Sequence, residues 1–150
     1  MEWDFPEPYT HDIVVSAADI DGMGHTNNAC YVVWCESVAW GHSASLGLTV
    51  EDYKRLNRGV AIQSAHYDYF QPSFAGQAPQ IGTWITGCDG KLRLQRSFQV
   101  IAKGTAITVM RGRWTLVCIN VMTGKPSRFP TVFLDIYGTA ALSSELADQP

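Results

Sequence analysis

The sequence predicts an α+β domain in which a strongly curved antiparallel sheet wraps one long helix. Three observations predict it. A mainly apolar run of helical period begins near residue 27 and lasts about five turns. From Gly59 the period changes to 2 and stays there to Asn120, in long segments separated by turn signals. The helical run also lacks a clean polar face, the mark of a buried helix, and a curved sheet hides such a helix best.

Residues 1–9, interrupted by Pro6 and Pro8, read as an irregular lead-in. Thr10 to Ala17 alternates Ile13, Val15 and Ala17 against Asp12, Val14 and Ser16, a short strand. A polar loop follows, then the helix from about Asn27 to Leu46, with Gly41 as a weak point and the Gly47 region as its stop. Val50 to Asn57 reads as a short exposed helix. Gly59–Gln71 (ending at Pro72), Gln80–Cys88, Lys91–Lys103 and Thr105–Asn120 read as strands. Asp89-Gly90 predicts a two-residue hairpin turn with positive φ at both positions, and Lys103-Gly104 a second tight turn. Within Lys91–Lys103, Leu92, Leu94, Phe98, Val100 and Ala102 share one face; Arg96 interrupts it. Thr131–Tyr137 reads as a short closing element and Ala140–Pro150 as a loose tail. No repeat or linker divides the chain, so residues 1–150 form a single domain.

Composition narrows the function. A chain of 150 residues buries about two-thirds of its unfolded surface, enough for a real core. A net charge of −3 argues against nucleic acid or an anionic membrane as the main partner. Only 17% of residues are charged against 46% hydrophobic, so apolar surface is left for a subunit interface, and a homo-oligomer is expected. Cys30, Cys35, Cys88 and Cys118 form no C-x-x-C pair, and His11, His25, His42 and His66 have no ligand spacing; no metal is expected. The acidic, proline-broken start is unlike a signal peptide, and no apolar run approaches the roughly 18–20 residues of a membrane span. The expectation is a cytoplasmic protein.

The chemistry concentrates in Asp19-Ile20-Asp21-Gly22-Met23-Gly24-His25-Thr26-Asn27-Asn28. Gly24 gives the backbone room to bend beside a bound group. Thr26 or Asn27 can cap the helix, whose first N–H groups carry a partial positive charge of about half a unit. Asp21 stands just upstream of that positive end. A carboxylate beside an anion-stabilising helix start can attack a carbonyl or activate water, while the helix's first free amides hold the oxyanion. The plain alternative is that Asp21 caps a turn, as Asp before Gly commonly does. Asp19 reads as structural. His25 either hydrogen-bonds the loop or positions water or a leaving group. Tyr31 and Trp34 read equally as core or as pocket wall. Glu36 is an acid inside an apolar helix.

Asp19 to Tyr31, followed by Trp34 and Glu36, resembles the D-x-D-x-x-G-H-x-N-N-x-x-Y…W-x-E signature of hotdog-fold thioesterases of the 4-hydroxybenzoyl-CoA thioesterase type. His66-Tyr67-Asp68-Tyr69-Phe70-Gln71-Pro72 with Gly76, and Thr123-Gly124-Lys125-Pro126-Ser127-Arg128-Phe129-Pro130, are similar to two further family segments. The resemblance implies a hotdog fold, with a five-stranded antiparallel sheet round one long central helix, assembled as a homodimer or homotetramer with the active site at the dimer interface. It implies hydrolysis of an acyl-CoA or acyl-carrier-protein thioester with no cofactor, coenzyme A being part of the substrate. It places the nucleophile or base at Asp21 and the polarising amide at Asn28, with Gly24 and His25 in the catalytic loop. Asn27, Tyr31, Trp34, His66 and Arg128 are the expected substrate-binding residues; Asp68 is a supporting candidate beside His66. Arg58, Lys91, Arg93, Lys125 and Arg128 are candidates for the phosphates of coenzyme A. Some relatives have Asn where this chain has Met23. A hotdog hydratase or dehydratase, and a non-catalytic acyl-CoA-binding subunit, are the rival readings.

Overall fold

The computed structural model describes residues 2–148. Its sheet has five antiparallel strands in the order β1-β3-β4-β5-β2, with β1 Tyr9–Asp12, β2 Arg58–Tyr69, β3 Gln80–Cys88, β4 Arg93–Ile101 and β5 Thr108–Asn120. Helix α1, Asn28–Ser45, lies across the inner face. The expected α+β architecture and hotdog fold are present.

The inner face follows from the period of 2. Ile81, Ile85, Leu94, Phe98, Met110, Trp114 and Leu116 point inward with Tyr31, Cys35 and Val38 of α1, in one core. Gly41 does not weaken α1. A side chain there would meet His11 Nε2 at 2.8 Å and the Tyr9 hydroxyl at 3.0 Å, so glycine lets β1 lie close against the helix.

Several sequence expectations need correction. The first strand ends at Asp12, although Ile13 and Val15 still donate backbone hydrogen bonds to Pro79 and Gln77. The Asp89-Gly90 turn is wider than two residues. Only Gly90 has positive φ, and Asp89 Oδ1 accepts from the amides of Lys91, Leu92 and Arg93, folding a longer loop around one carboxylate. The closing element is a full helix, α3 Thr131–Ala140, which buries Phe133 and Tyr137 completely. The tail contains a helical turn, α4 Ser144–Ala147; α2 spans Val50–Arg55.

The lead-in is irregular but docked. Asp4 pairs with Arg111 through two contacts of 2.6 and 2.8 Å, Pro6 accepts from the Trp84 indole, and Trp3 and Phe5 pack edge-on against Trp84. It thereby covers part of the sheet's outer face, which explains why Gln99 is buried there.

The helix is not buried all round. Its inner stripe is covered by the sheet, but Val33, Glu36 and Trp40 face outward and are exposed, beside an edge strand β2 whose residues 62–70 are almost all exposed. The apolar circumference read from the sequence is thus half used inside one chain. No described helix is long and apolar enough to cross a membrane.

Candidate active site

The loop before α1 is a small hairpin. Asp19 accepts from the Asn27 amide, Ile20 bridges Thr26, and the Asp21 amide donates to His25 at 2.7 Å. Gly24, at φ 80°, closes the turn in a backbone region that other residues enter only with strain. Below it Thr26 is buried, and a chain of hydroxyls runs Tyr31–Ser73–Thr26 with both contacts at 2.6 Å. The Thr26 amide and hydroxyl both donate to the Ser73 carbonyl. The segment after β2 therefore clamps the loop against the first turn of the helix.

Asp21 is exposed and does two things at once. Its Oδ1 accepts from the amides of Met23 at 2.8 Å and His25 at 3.1 Å, so the turn-capping role is present. Its Oδ2 has no partner among the described residues. At the helix start, Asn27 is the cap: its side-chain oxygen accepts from Ala29 at 3.0 Å, and its carbonyl accepts from Cys30. The Asn28 amide lies between these two bonds and donates to no atom of the described chain. Asp21 faces His25 across the hairpin, and Asn28, the first residue of α1, lies three residues beyond His25. None of the four main clefts of the single chain reaches Asp21 or Asn28.

The remaining expected residues divide. Asp19 is structural: the amide and hydroxyl of Ser16 both donate to its Oδ2, which lowers its pKa. His25 is half-buried and packs edge-on against Phe74. Tyr31 is core, held by Ser73, and Trp34 packs edge-on against it. His66 is not brought to the loop. Residues alternate along β2, so Tyr67 and Tyr69 face inward while His66 and Asp68, paired at 3.1 Å, stand on the outer face. Arg128 is exposed beyond the Ser127–Cys118 contact, at the end of β5 farthest from the loop, roughly 26 Å along the strand from the Met110–Tyr69 end. The other four basic candidates share that distant end: Arg58 starts β2, Lys91 and Arg93 lead into β4, and Lys125 follows β5.

Two neighbours of the loop were not singled out from the sequence. Ser73 carries the hydroxyl chain, and the Tyr69 hydroxyl donates to the Asn28 carbonyl at 3.5 Å. Tyr69 lies within the His66–Pro72 segment and Ser73 directly after it, and that segment was the available signal.

The fold and this helix-start loop define a hotdog domain of the thioesterase type. A family model described as the thioesterase-like superfamily matches residues 15–136, and the chain belongs to that family. No curated protein sequence matches the chain. Solved structures with the same fold include a 1,4-dihydroxy-2-naphthoyl-CoA thioesterase from Synechocystis, with TM-score 0.77 and 20% identity over 96% of this chain and 100% of that one. A DHNA-CoA thioesterase from Staphylococcus aureus has TM-score 0.79 and 20% identity, covering 87% and 88%. A hypothetical protein from the same organism, solved in complex with CoA, has TM-score 0.80 and 19% identity, covering 96% and 94%.

Proposed function

We propose that this protein hydrolyses an acyl-CoA thioester to the free acid and CoA. The observation that carries the reading is the unoccupied Asn28 amide at the mouth of an 18-residue helix, with the unpartnered Oδ2 of Asp21 on the loop in front of it. The thioester carbonyl oxygen accepts from Asn28, and the helix start stabilises the oxyanion as it develops. Asp21 either attacks the carbonyl carbon directly, displacing the CoA thiolate and leaving an anhydride that water cleaves, or takes the proton of an attacking water. No metal or organic cofactor enters this scheme.

A second copy of the chain completes the site. Edge strand β2 carries Ile62, Tyr69 and Phe70 exposed, and the outward face of α1 carries Val33 and Trp40. Antiparallel pairing of two β2 edges sets the basic end of one sheet beside the helix start of the other. Arg58, Lys91, Arg93, Lys125 and Arg128 of one protomer then meet the phosphates of a CoA bound at its partner's loop. The solved relatives with CoA-thioester names, and the one holding CoA, support the same substrate class.

Release of free thiol from a panel of aryl-, short- and long-chain acyl-CoAs tests the reading. Hydrolysis that falls about 10²–10⁴-fold in Asp21→Asn supports it. Full activity in both Asp21→Asn and Asp21→Ala refutes the role given to Asp21.

A further inference from the structure

The charge that interrupts the apolar face of β4 is buried without an acid to meet it. Arg96 turns inward and keeps 3% of its surface exposed. An arginine so deeply placed ordinarily has an acidic partner. Among the described residues none of the ion pairs includes Arg96, and the groups it does touch are neutral in form. Its Nη1 uses both hydrogens, donating to His42 Nδ1 at 2.8 Å and to Thr83 Oγ1 at 3.2 Å. His42 accepts through Nδ1, and burial with the adjacent guanidinium holds its pKa down to about 4. The Tyr137 hydroxyl bonds Ser43 and the Tyr53 hydroxyl, so the surrounding network contains no carboxylate. Burial lowers the pKa of Arg96 to about 10, and it remains a cation at neutral pH.

The other edge of the guanidinium is open. Nη2 makes one long contact, 3.5 Å to Ser43 Oγ, and Nε donates to no atom of the described chain. These two nitrogens form the side of the fork that grips a carboxylate with two parallel bonds. Arg96 and Ser43, with Tyr137, line the floor of a cavity of about 270 Å³ between α1 and strands β2, β4 and β5. Above that floor Leu94, Trp114 and Leu116 give apolar walls, and the exposed Glu36, Trp40 and Ile62 form the rim. The volume is near the lower end of the roughly 300–1,000 Å³ of small-molecule pockets. Ser43 lies fifteen residues along α1 from Asn28, about 22 Å at the rise of a helix, so this cavity is separate from the Asp21 loop.

We propose that the cavity is a second ligand site, which binds a small monocarboxylic acid with its carboxylate on Arg96. The ligand supplies the negative charge that the chain does not, and its short apolar body lies against Leu94, Trp114 and Leu116. Glu36 at the rim repels a second carboxylate at the mouth, so a single acid group at one end of an apolar body fits best. The proposal stands apart from the thioesterase reading and holds or fails without it.

Hexanoate and hexanamide, alike in shape and differing in charge, are the probes for calorimetric titration. The titration uses the assembled protein, because the mouth opens beside Trp40 and Ile62, on the face where the second copy is proposed. Hexanoate is expected to bind the wild-type protein at least about tenfold more tightly than hexanamide, and Arg96→Met to bring the two together. Absent binding, equal binding of the two probes, or a preference unchanged in Arg96→Met overturns the proposal; the last result would place the acid elsewhere, as at the Asp21 loop. Should Arg96→Met fail to fold, Ala39→Phe decides, since it puts a ring into the cavity and leaves Arg96 in place. Hexanoate weakened at least about tenfold in that variant supports the site, and unchanged binding refutes it.

Discussion

Asp21 holds the turn with one oxygen and faces solvent with the other, so its two roles can be separated by substitution. Asn at this position keeps an oxygen for the Met23 and His25 amides and removes the charge, whereas Ala removes both. Asp21→Asn is therefore expected to lose kcat about 10²–10⁴-fold with an unchanged melting temperature, and Asp21→Ala to lose activity and destabilise the loop together. Steady-state kinetics beside thermal unfolding reads the difference. His42 gives a pH prediction. Its folded pKa of about 4 lies below the ordinary 6.5, so the unfolded chain binds a proton that the native state refuses. Its contribution to stability is whole above pH 6.5 and is lost as pH falls from 6.5 toward 4. The slope approaches about 1.4 kcal/mol per pH unit, less whatever solvent at its exposed edge screens. Urea midpoints of the wild-type protein and His42→Gln across pH 4–7 are expected to converge toward the acid end of that range.

At the level of elements, the start of α1 is held in place by structure on both sides. The hairpin loop supplies Asn27 as cap, and the segment after β2 supplies Ser73 under Thr26 and Tyr31. The other end of α1 is held by α3, whose Tyr137 hydroxyl bonds Ser43. Phe133 has none of its surface exposed and packs against Tyr53, Phe129 and Tyr137. Phe133→Ala is expected to cost about 3–5 kcal/mol, the loss of a buried aromatic plus the cavity it leaves, measured by urea denaturation.

The whole molecule leaves an apolar helix face and a long edge strand uncovered, and exposed edges are where chains pair. If two copies pair as proposed, Val33→Asp with Ile62→Lys is expected to leave a monomer in sedimentation where the wild-type protein is a dimer. Thiol release is expected to fall with it, because in the proposed pairing the basic end that meets the CoA phosphates belongs to the partner. A monomer with full activity would show that each chain carries a complete site.

Elements with strong local causes were legible in the residues alone. The period of 3.6 after Asn27, the period of 2 from Gly59, the cap at Asn27 and the bend at Gly24 are consequences of side-chain shape and backbone freedom within a few residues. The turn-capping role of Asp21 was legible for the same reason. What needed tertiary structure was everything set by which face meets which neighbour. Alternation sends His66 outward and Tyr69 inward once β2 is paired with β5. One sheet covers only half of α1, and Arg96, a flaw in an apolar stripe when read alone, becomes a buried cation because α1, α2 and α3 converge on it. Periodicity is a local property of the chain; burial and charge compensation depend on parts distant in sequence, and only the folded arrangement sets them.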